Sequence, residues 1–300
     1  MKMKNAIITG ATGFVGSSLC KYLIEKDWKV SIISRPSSDY ANIKSVLKNV
    51  EIFEYDGNIK NLISYFNKKK ADVVFHLASL FIDEHKSEQI DALVDSNIRL
   101  GLHILEAMKE SDIKMLINTG TSWQHYHTAE YNPVDLYAAT KQAFESLIKY
   151  YSEAEGIRVI TLKLFDTYGE GDTRPKLVNL LHKFANEKKE LNMSPGEQML
   201  DLVYIDDVVK AFVKAYEYLY ESEVTYKEFG VGSRNPIRLK DLISTFEAVT
   251  GKSLNIVWGG RNYRKREVMK VWDSYETPAG WKAEVILEEG LLKYNGDINS

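Results

Sequence analysis

Two side chains with acid–base chemistry stand four residues apart in the stretch Leu-Tyr-Ala-Ala-Thr-Lys, at Tyr137 and Lys141. On a helix this spacing places both side chains on one face. An ammonium beside a phenol favours the charged phenolate, which allows the phenol to exchange a proton near neutral pH. A surface tyrosine with a solvated lysine has the same spacing, and with 18 Tyr in the chain such pairs also arise by chance. The pair alone leaves both interpretations open.

A glycine-rich segment, Thr9-Gly-Ala-Thr-Gly-Phe-Val-Gly16, joins the first predicted strand to the first predicted helix. Glycines at such a junction allow a tight turn, a close approach of the backbone to a pyrophosphate, and close packing of helix on strand. The N-terminus of the helix adds unpaired N–H groups and a partial positive charge. We therefore predict a nucleotide-binding site formed by Gly10, Thr12, Gly13, Phe14, Val15 and Gly16. The segment is not a P-loop, because no Gly-Lys-Ser/Thr follows it.

The end of the second predicted strand, Val30-Ser-Ile-Ile-Ser-Arg-Pro36, bears on the identity of the nucleotide. NAD-binding enzymes usually place an acidic residue here, on the ribose 2′-hydroxyl. In this chain no carboxylate occurs before Asp39, whereas Arg35 is suited to a forked contact with a 2′-phosphate and Ser37 to an additional hydrogen bond. The sequence therefore favours NADP(H) over NAD(H).

Short β-rich runs alternate with longer amphipathic runs over the first 165 residues. Strands are predicted at residues 5–9, 29–34, 50–55, 72–78, 114–119 and 158–165, and helices at 15–25, 59–69, 87–109 and 136–154. This alternation predicts an α/β fold of Rossmann type, in which helices cover both faces of a doubly wound parallel sheet. We assign residues 1–165 to a cofactor-binding domain, with 199–222 packing back on it. Residues 166–300 are assigned to a smaller C-terminal α/β substrate lobe.

The composition narrows the class of protein. With 300 residues, 44% hydrophobic and 27% charged, the chain fits an ordinary globular protein. The net charge of -3 provides no general basic field for nucleic acid, so no nucleic-acid partner is expected. No apolar run approaches the roughly 20 residues that cross a bilayer, so no membrane span is expected. Cys20 is the only cysteine, which argues against a disulfide framework or a thiolate metal site and favours the cytoplasm.

The spacing Gly-x-x-Gly-x-x-Gly resembles that of the extended short-chain dehydrogenase/reductases, the branch of nucleotide-sugar epimerases, dehydratases and reductases. Further motifs follow in the order that this family has, and together they extend the resemblance over most of the chain. They are His76-Leu-Ala-Ser79, Asn97, Phe165-Asp-Thr-Tyr-Gly169 and Asp201-Leu-Val-Tyr-Ile-Asp-Asp207. The cofactor contacts that the resemblance implies beyond the glycine loop are Asp56, Gly57, Leu77, Ala78, Ser79, Asn97, Thr119 and Leu164.

The resemblance also implies roles for the opening pair. The family's catalytic helix carries Tyr-x-x-x-Lys a few residues after strand five, where Tyr137 and Lys141 stand. Lys141 would hold the nicotinamide ribose and lower the pKa of Tyr137, which would exchange a proton with a substrate oxygen. A hydroxyl at the end of strand five completes this set: counting from the strand end favours Thr121, and counting back from Tyr126 favours Ser122. We prefer Thr121.

Two features favour net reduction. An epimerase recycles its cofactor and has no need of NADP, whereas a reductase draws on the NADPH pool. The related 4,6-dehydratases place Asp-Glu after the catalytic threonine, but Ser122 and Trp123 follow Thr121 here. The chain most resembles the nucleotide-sugar 4-ketoreductases of the CDP-abequose and CDP-paratose synthase or dTDP-6-deoxy-4-hexulose reductase type, which implies a place in deoxysugar or O-antigen biosynthesis. An epimerase and a catalytically silent NADP-binding protein are the alternatives.

The expected substrate is a CDP- or dTDP-linked sugar, and the chain departs from the family where such a substrate binds. Asp166, a predicted substrate-binding residue, stands where many relatives have asparagine, and its negative charge disfavours a direct contact with phosphate. The cations proposed for the diphosphate are Lys176, Arg264 and Arg266. The helices predicted at 87–109 and 136–154 carry apolar residues on more than one face, and relatives pair such helices into a four-helix bundle. We therefore expect a homodimer.

Overall fold

The structure, a computed structural model, describes residues 3–294. Its strands are β1 (Asn5–Thr9), β2 (Lys29–Ser34), β3 (Val50–Glu54), β4 (Val73–His76), β5 (Met115–Thr121), β6 (Arg158–Leu164), β7 (Asp166–Tyr168), β8 (Glu190–Met193), β9 (Met199–Leu200), β10 (Leu202–Tyr204), β11 (Tyr226–Val231), β12 (Ile237–Arg238) and β13 (Asn255–Trp258). Its α-helices are α1 (Phe14–Glu25), α2 (Ile59–Lys69), α3 (Ile90–Val94), α4 (Leu100–Ser111), α5 (Leu136–Glu155), α6 (Leu177–Glu187), α7 (Ile205–Glu221), α8 (Leu239–Thr250) and α9 (Leu287–Lys293).

The central element is a seven-stranded sheet in the order β11-β6-β5-β4-β1-β2-β3, in which every neighbouring pair is parallel. The chain moves outward in one direction from β1 through β2 and β3 and then in the other from β4 onward. Ligands of such sheets bind at this reversal point, beyond the carboxyl ends of the strands. The predicted Rossmann-type α/β fold is confirmed.

Two hydrophobic cores cover the two faces of this sheet. Successive residues of a strand point to opposite faces, so Ile8 of β1 belongs to one core and Ile7 to the other. The first core includes residues of α1 and α7, such as Phe212, and the second includes residues of α4 and α5, such as Phe144. Because both faces are buried, the inner strands β1 and β4 are almost continuously apolar.

The helix predicted at 87–109 is interrupted. A π turn, Asp95–Arg99, separates α3 from α4, and a 3₁₀ turn, Ser87–Gln89, precedes α3. Asn97 is buried within the π turn, a rare conformation that occurs frequently at functional sites. Hydrophobic periodicity predicts the helix but not the interruption, because the side chain of Asn97 bonds to distant parts of the chain.

The position of the edge strand β11 differs from the expected one. Its residues were assigned to the smaller lobe, yet β11 pairs with β6 along its whole length and extends the main sheet. Helix α7 packs against α1 through residues that both contribute to the first core. The division of the chain into two lobes at residue 165 stays a prediction.

Three two-stranded sheets lie outside the main sheet: β7 with β10, β8 with β13, and β9 with β12. Strand β7 follows directly on β6, so the residues that it carries stand near the carboxyl edge of the main sheet. Among residues 3–294, no helix combines the length and the apolar character that crossing a membrane requires.

Candidate active site

Helix α5 presents the predicted acid–base pair. Its N-cap is Asp135, whose carboxylate accepts a hydrogen bond from the Ala138 N–H at 2.7 Å. Tyr137 lies in the first turn, half-buried, with its ring edge-on to the ring of Phe81 at 5.0 Å between centroids. The Lys141 Nζ lies 5.9 Å from the centroid of the Tyr137 ring, and Lys141 is 2% exposed. The two side chains therefore share one face of the helix.

Burial dominates the titration of both groups. It raises the pKa of Tyr137 to about 12, against the opposing effect of a hydrogen bond with Ser79. Burial lowers the pKa of Lys141 to about 8, and the carboxylate of Glu145 opposes this shift. Desolvation of the phenolate is the main cause of the raised pKa of Tyr137, and the expectation that Lys141 lowers this pKa stays a prediction. The phenol is consequently protonated at neutral pH, as a proton donor requires.

The two candidate hydroxyls differ in their hydrogen bonds. Thr121 caps a short 3₁₀ turn: its Oγ1 accepts a hydrogen bond from the Trp123 N–H at 3.3 Å, and its own N–H donates to Gln124 Oε1 at 3.0 Å. Ser122 is partly buried, and its hydroxyl makes no hydrogen bond to any residue in the described range 3–294. The structure thus gives Thr121 a structural role in the turn and leaves the hydroxyl of Ser122 available to a ligand.

The glycine loop is shaped to receive a group at the end of β1. A Cβ on Gly10, whose φ is +73°, would lie 2.6 Å from the Ala78 nitrogen and 2.7 Å from the Leu77 carbonyl carbon. A Cβ on Gly16 would lie 2.1 Å from the Gly10 oxygen. Helix α1 starts after Gly13, and no side chain in the described part of the chain caps it, so N–H groups of its first turn are available to a ligand. This arrangement suits a pyrophosphate.

Other predicted members of this site surround the loop. Thr12 and Val15 are partly exposed, whereas Phe14 is buried. The Arg174 guanidinium lies 4.5 Å above the Phe14 ring and is held by the Asp172 carboxylate through contacts of 2.7 and 2.8 Å. Arg174 therefore fixes the loop after β7 against the glycine loop.

Asn97 connects the loop after β4 to the catalytic helix. Its Oδ1 accepts hydrogen bonds from the Leu80 N–H at 2.8 Å and from the Ser79 hydroxyl at 3.2 Å. Its Nδ2 donates to Thr140 Oγ1 at 2.9 Å, and the Thr140 hydroxyl donates to the Tyr137 carbonyl at 2.7 Å. A single buried amide thus sets the distance between the predicted cofactor loop and the turn that carries Tyr137.

The carboxyl ends of β5 and β6 contribute Thr119 and Leu164, which were predicted to contact the cofactor. Leu164 is partly buried. The Thr119 Oγ1 is buried and has no hydrogen-bond partner among the described residues. An unpaired buried hydroxyl is costly, and a bound polar group at the carboxyl edge of the sheet would satisfy it.

The end of β2 presents the group that was expected to select the cofactor. Arg35 is exposed, and its guanidinium makes no hydrogen bond or ion pair within residues 3–294. Ser37 is also exposed. The carboxylate of Asp39 accepts a hydrogen bond from the Ala41 N–H at 2.9 Å and is thereby engaged in a local turn. The charged side chain available to a cofactor at the end of β2 is therefore the Arg35 cation.

Asp56 and Gly57 lie in the exposed turn after β3. The carboxylate of Asp56 accepts hydrogen bonds from the Asn58 N–H at 2.8 Å and the Asn61 side chain at 2.9 Å, and the first of these is the main cause of its lowered pKa. Asp56 thus orders the start of α2, and its contact with the cofactor stays a prediction.

Aromatic and charged side chains that sequence reasoning had not brought together lie beside Tyr137. The Phe81 ring lies 5.6 Å from the Trp123 ring, and the Lys176 Nζ lies 3.5 Å from the Phe81 centroid. Arg264 forms an ion pair with Asp83 at 2.9 Å. The loop position of Phe81 carries no periodic signal, so the sequence did not single it out. Together these groups form one wall next to the proton donor.

Residues 121–126, which include Thr121 and Ser122, form the hydroxyl turn. Of the four predicted substrate contacts outside this turn, Asp166, Lys176 and Arg264 belong to the neighbourhood of Tyr137. Asp166 is partly buried, and its pKa is raised by burial while Lys176 and Arg264 act against that shift. Arg266 lies elsewhere: its guanidinium is hydrogen-bonded to the Asn132 side chain and packs 4.4 Å above the ring of Tyr126. Lys176 and Arg264 are therefore placed to face an anionic substrate, whereas Arg266 braces the hydroxyl turn.

The acids of the motif Asp201–Asp207 hold backbone in place. The Asp201 carboxylate accepts a hydrogen bond from the Ser233 N–H at 2.7 Å. The Asp207 carboxylate accepts hydrogen bonds from the N–H groups of Glu284 and Val285, each at 2.8 Å. The first contact joins the residue before β10 to the loop after β11, and the other two join the C-terminal segment to the start of α7. The motif therefore has a structural function.

Comparison with known proteins agrees with this geometry. Residues 6–232 match the sequence model of the NAD dependent epimerase/dehydratase family. A CDP-abequose synthase of Yersinia pseudotuberculosis is 28% identical over 88% of this chain and 90% of its own length. A UDP-glucuronate 4-epimerase of Thermodesulfobacterium geofontis is 25% identical over 96% of this chain and 94% of its own.

A solved structure resembles the whole chain. The UDP-glucuronic acid 4-epimerase of Bacillus cereus, in complex with UDP-glucuronic acid and NAD, superposes with a TM-score of 0.84 at 25% identity and covers 96% of this chain and 97% of that one. The family model extends over most of the chain, from the glycine loop through the catalytic helix to β11. The chain belongs to the NAD-dependent epimerase/dehydratase family and is an NAD(P)-dependent enzyme.

Proposed function

We propose that this enzyme reduces the 4-keto group of a nucleotide-linked 4-keto-6-deoxy sugar, carried by CDP or dTDP, with NADPH. The observation that carries the proposal is the pair Tyr137 and Lys141 on one face of α5, with the phenol kept protonated by burial. Reduction of a ketone ends with protonation of an alkoxide, so a protonated donor is the form that the reaction needs.

The bound dinucleotide supplies the hydride. The chain supplies the other parts: the Ser122 hydroxyl, or Thr121 as the alternative, holds the carbonyl oxygen, and Tyr137 donates its proton to that oxygen. Lys141 carries the positive charge that stabilises the phenolate left behind. The N-terminus of α1 binds the pyrophosphate of the cofactor.

Trp123 supports reduction over dehydration. Dehydratases of this family need a further carboxylate pair directly after the hydroxyl, and here Trp123 packs on Phe81 at that place. The similarity to the CDP-abequose synthase of Yersinia pseudotuberculosis, which extends over 88% of this chain, supports a deoxysugar ketoreductase.

Arg35 supports NADPH as the reductant. Its exposed guanidinium at the end of β2 is available for a 2′-phosphate, and Asp39 is engaged elsewhere. NAD(H) is the alternative, since NAD is the cofactor in the similar epimerase structure from Bacillus cereus.

An epimerase is the second candidate function, favoured by the similarity to the UDP-glucuronate 4-epimerase. Both reactions use the Tyr137–Lys141 pair, so the cofactor distinguishes them. An epimerase keeps tightly bound, oxidised NAD through purification and consumes no added reductant, whereas a reductase consumes one NADPH for each sugar.

Substrate binding and assembly complete the proposal. Lys176 and Arg264 bind the diphosphate, and Arg264 exchanges Asp83 for it. Two protomers associate through the segment 87–109, which includes α3 and α4, and through α5 as a four-helix bundle; Ile90 and Val94 of α3 and Tyr150 of α5 are exposed in the single chain. A cytoplasmic location suits a chain whose one cysteine is free and buried.

A substrate panel tests the proposed reaction. The purified enzyme is incubated with NADPH and a set of CDP- and dTDP-linked 4-keto-6-deoxy sugars, and the oxidation of NADPH and the sugar products are measured. At least one of these sugars is expected to be reduced with stoichiometric oxidation of NADPH. Epimerised nucleotide sugars without NADPH oxidation would support the second candidate instead.

A further inference from the structure

A buried cluster of charged side chains lies behind the catalytic helix. Lys163 of β6 is 1% exposed, and its Nζ lies 3.2 Å from the carboxylate of Glu145 on α5 and 2.6 Å from that of Glu228 on β11. The same Nζ lies 3.1 Å from the Nε2 of His125, which is buried although its loop position predicts a surface residue. The cluster therefore joins α5, the hydroxyl turn and the edge of the main sheet.

Glu145 links this cluster to the active site. It follows Lys141 by four residues on α5, so the two side chains lie on one face, and each residue is 2% exposed. The Lys141 ammonium makes no hydrogen bond or ion pair with any residue between 3 and 294. His76 also interacts with the charge of Lys141, and burial keeps this imidazole neutral by lowering its pKa to about 3. Glu145 is thus the anion whose charge acts on Lys141.

Stability alone is a weak reason for such a cluster. The cost of removing charges from water offsets most of the attraction within a buried ion pair. An apolar set of side chains would fill the same space at similar or better stability. The position of the cluster, one helical turn from Lys141, points to an electrostatic role.

We propose that Glu145 is a positioning residue of this reaction: held against Lys163, its carboxylate is the counter-charge that keeps the Lys141 ammonium protonated beside Tyr137. The inference rests on the role proposed above for Lys141. It adds a group that touches neither substrate nor cofactor and acts through Lys141.

The groups that face Glu145 come from three further elements. Lys163 comes from β6, Gln124 from the turn after β5, and Glu228 from β11, where Tyr226 donates a hydrogen bond to it at 2.5 Å; His125 contacts Lys163. The two carboxylates balance the ammoniums of Lys141 and Lys163. Loss of the Glu145 charge would leave two ammoniums facing one carboxylate.

These charges set the direction in which the pKa of Lys141 changes when the Glu145 charge is lost. Burial raises the pKa of Glu145 to about 7, so its carboxylate is charged above that pH, in the range where Lys141 titrates with a pKa of about 8. Without this charge the pKa of Lys141 falls further, and Lys141 loses its proton at a lower pH. For two charges one helical turn apart, we expect a shift of at least about one pH unit.

The test is NADPH affinity as a function of pH, measured by fluorescence titration for the wild type, Glu145→Gln and Glu145→Asp. The alkaline loss of affinity should move to lower pH in Glu145→Gln by at least about one pH unit, with Glu145→Asp between the two. Glu153→Gln is the matched control, since Glu153 lies on α5 with its side chain 72% exposed, and it should keep the wild-type midpoint. Lys141→Met should lack the transition.

The outcomes separate this inference from the proposed function. Suppose that Glu145→Gln loses NADPH affinity at the same pH as the wild type, while Lys141→Met shows no pH-dependent loss. This result overturns the role of Glu145 and leaves the proposed function intact. A Lys141→Met variant with wild-type turnover and an unchanged transition overturns the proposed function. If Glu145→Gln does not fold, Glu145→Asp is compared with the wild type, and identical midpoints overturn the inference.

Discussion

Replacing Tyr137 with phenylalanine removes one oxygen and leaves the surrounding packing in place. The ring keeps its edge-on contact with Phe81 at 5.0 Å, and the hydrogen bond from Thr140 goes to the Tyr137 backbone carbonyl, which the substitution does not alter. General acid catalysis contributes about 10²–10⁴-fold, so turnover should fall by at least about a hundredfold, equivalent to roughly 2.7 kcal/mol of barrier. The free energy of unfolding should change by no more than about 1 kcal/mol, the value of one hydrogen bond.

The assay is single-turnover reduction of a 4-keto sugar with enzyme in excess, and NADPH affinity is measured separately. Affinity should survive in Tyr137→Phe, because Lys141 and the glycine loop are untouched. Tyr220→Phe is the matched control, since Tyr220 lies on α7, outside the proposed dimer contact, and is 65% exposed; it should retain the wild-type rate. If Tyr137→Phe keeps more than about a tenth of the wild-type rate, Tyr137 is not the proton donor.

Three further predictions follow from the geometry. Arg35→Asp should reduce the preference for NADPH over NADH by at least about tenfold, or 1.4 kcal/mol; an unchanged ratio of kcat/KM values would remove Arg35 from the cofactor site. Lys141→Met should both weaken NADPH binding and slow turnover, measured by titration and single-turnover kinetics, and an intact NADPH affinity would contradict its proposed contact with the ribose. The enzyme should sediment as a dimer at micromolar concentration, and charged substitutions at Ile90 and Val94 should weaken that dimer; a monomeric wild type would refute the four-helix bundle.

The main sheet and its helices were predictable because their signals are local. Helix α2 was predicted with its observed bounds, and α1 and α5 to within one residue at each end. Strands β1 and β2 were likewise predicted, since buried parallel strands form apolar runs between turns. The glycine loop was recognisable because glycines at a strand–helix junction have a specific physical function.

The features of the fold and of the site that the sequence did not predict depend on contacts between residues distant in sequence. Strand β11 carries Lys227 and Glu228, and only its pairing with β6 reveals that it extends the main sheet. The environment of Lys163 was hidden for the same reason, because its three partners come from α5, β11 and the turn after β5. Periodicity likewise did not predict that Thr121 caps a turn, or that the Ser122 hydroxyl has no hydrogen-bond partner among residues 3–294.

Isotope transfer tests the central claim, net reduction of a sugar ketone, most directly. The enzyme is incubated with a CDP- or dTDP-linked 4-keto-6-deoxy sugar and NADPH that carries deuterium at both positions of nicotinamide carbon 4, and the product is analysed by mass spectrometry and NMR. We predict that each product molecule gains one deuterium at carbon 4 of the sugar and that one NADPH is oxidised for each. A product without deuterium, formed while NADPH remains unoxidised, would contradict a reductase and indicate that the hydride returns to the sugar from which it came.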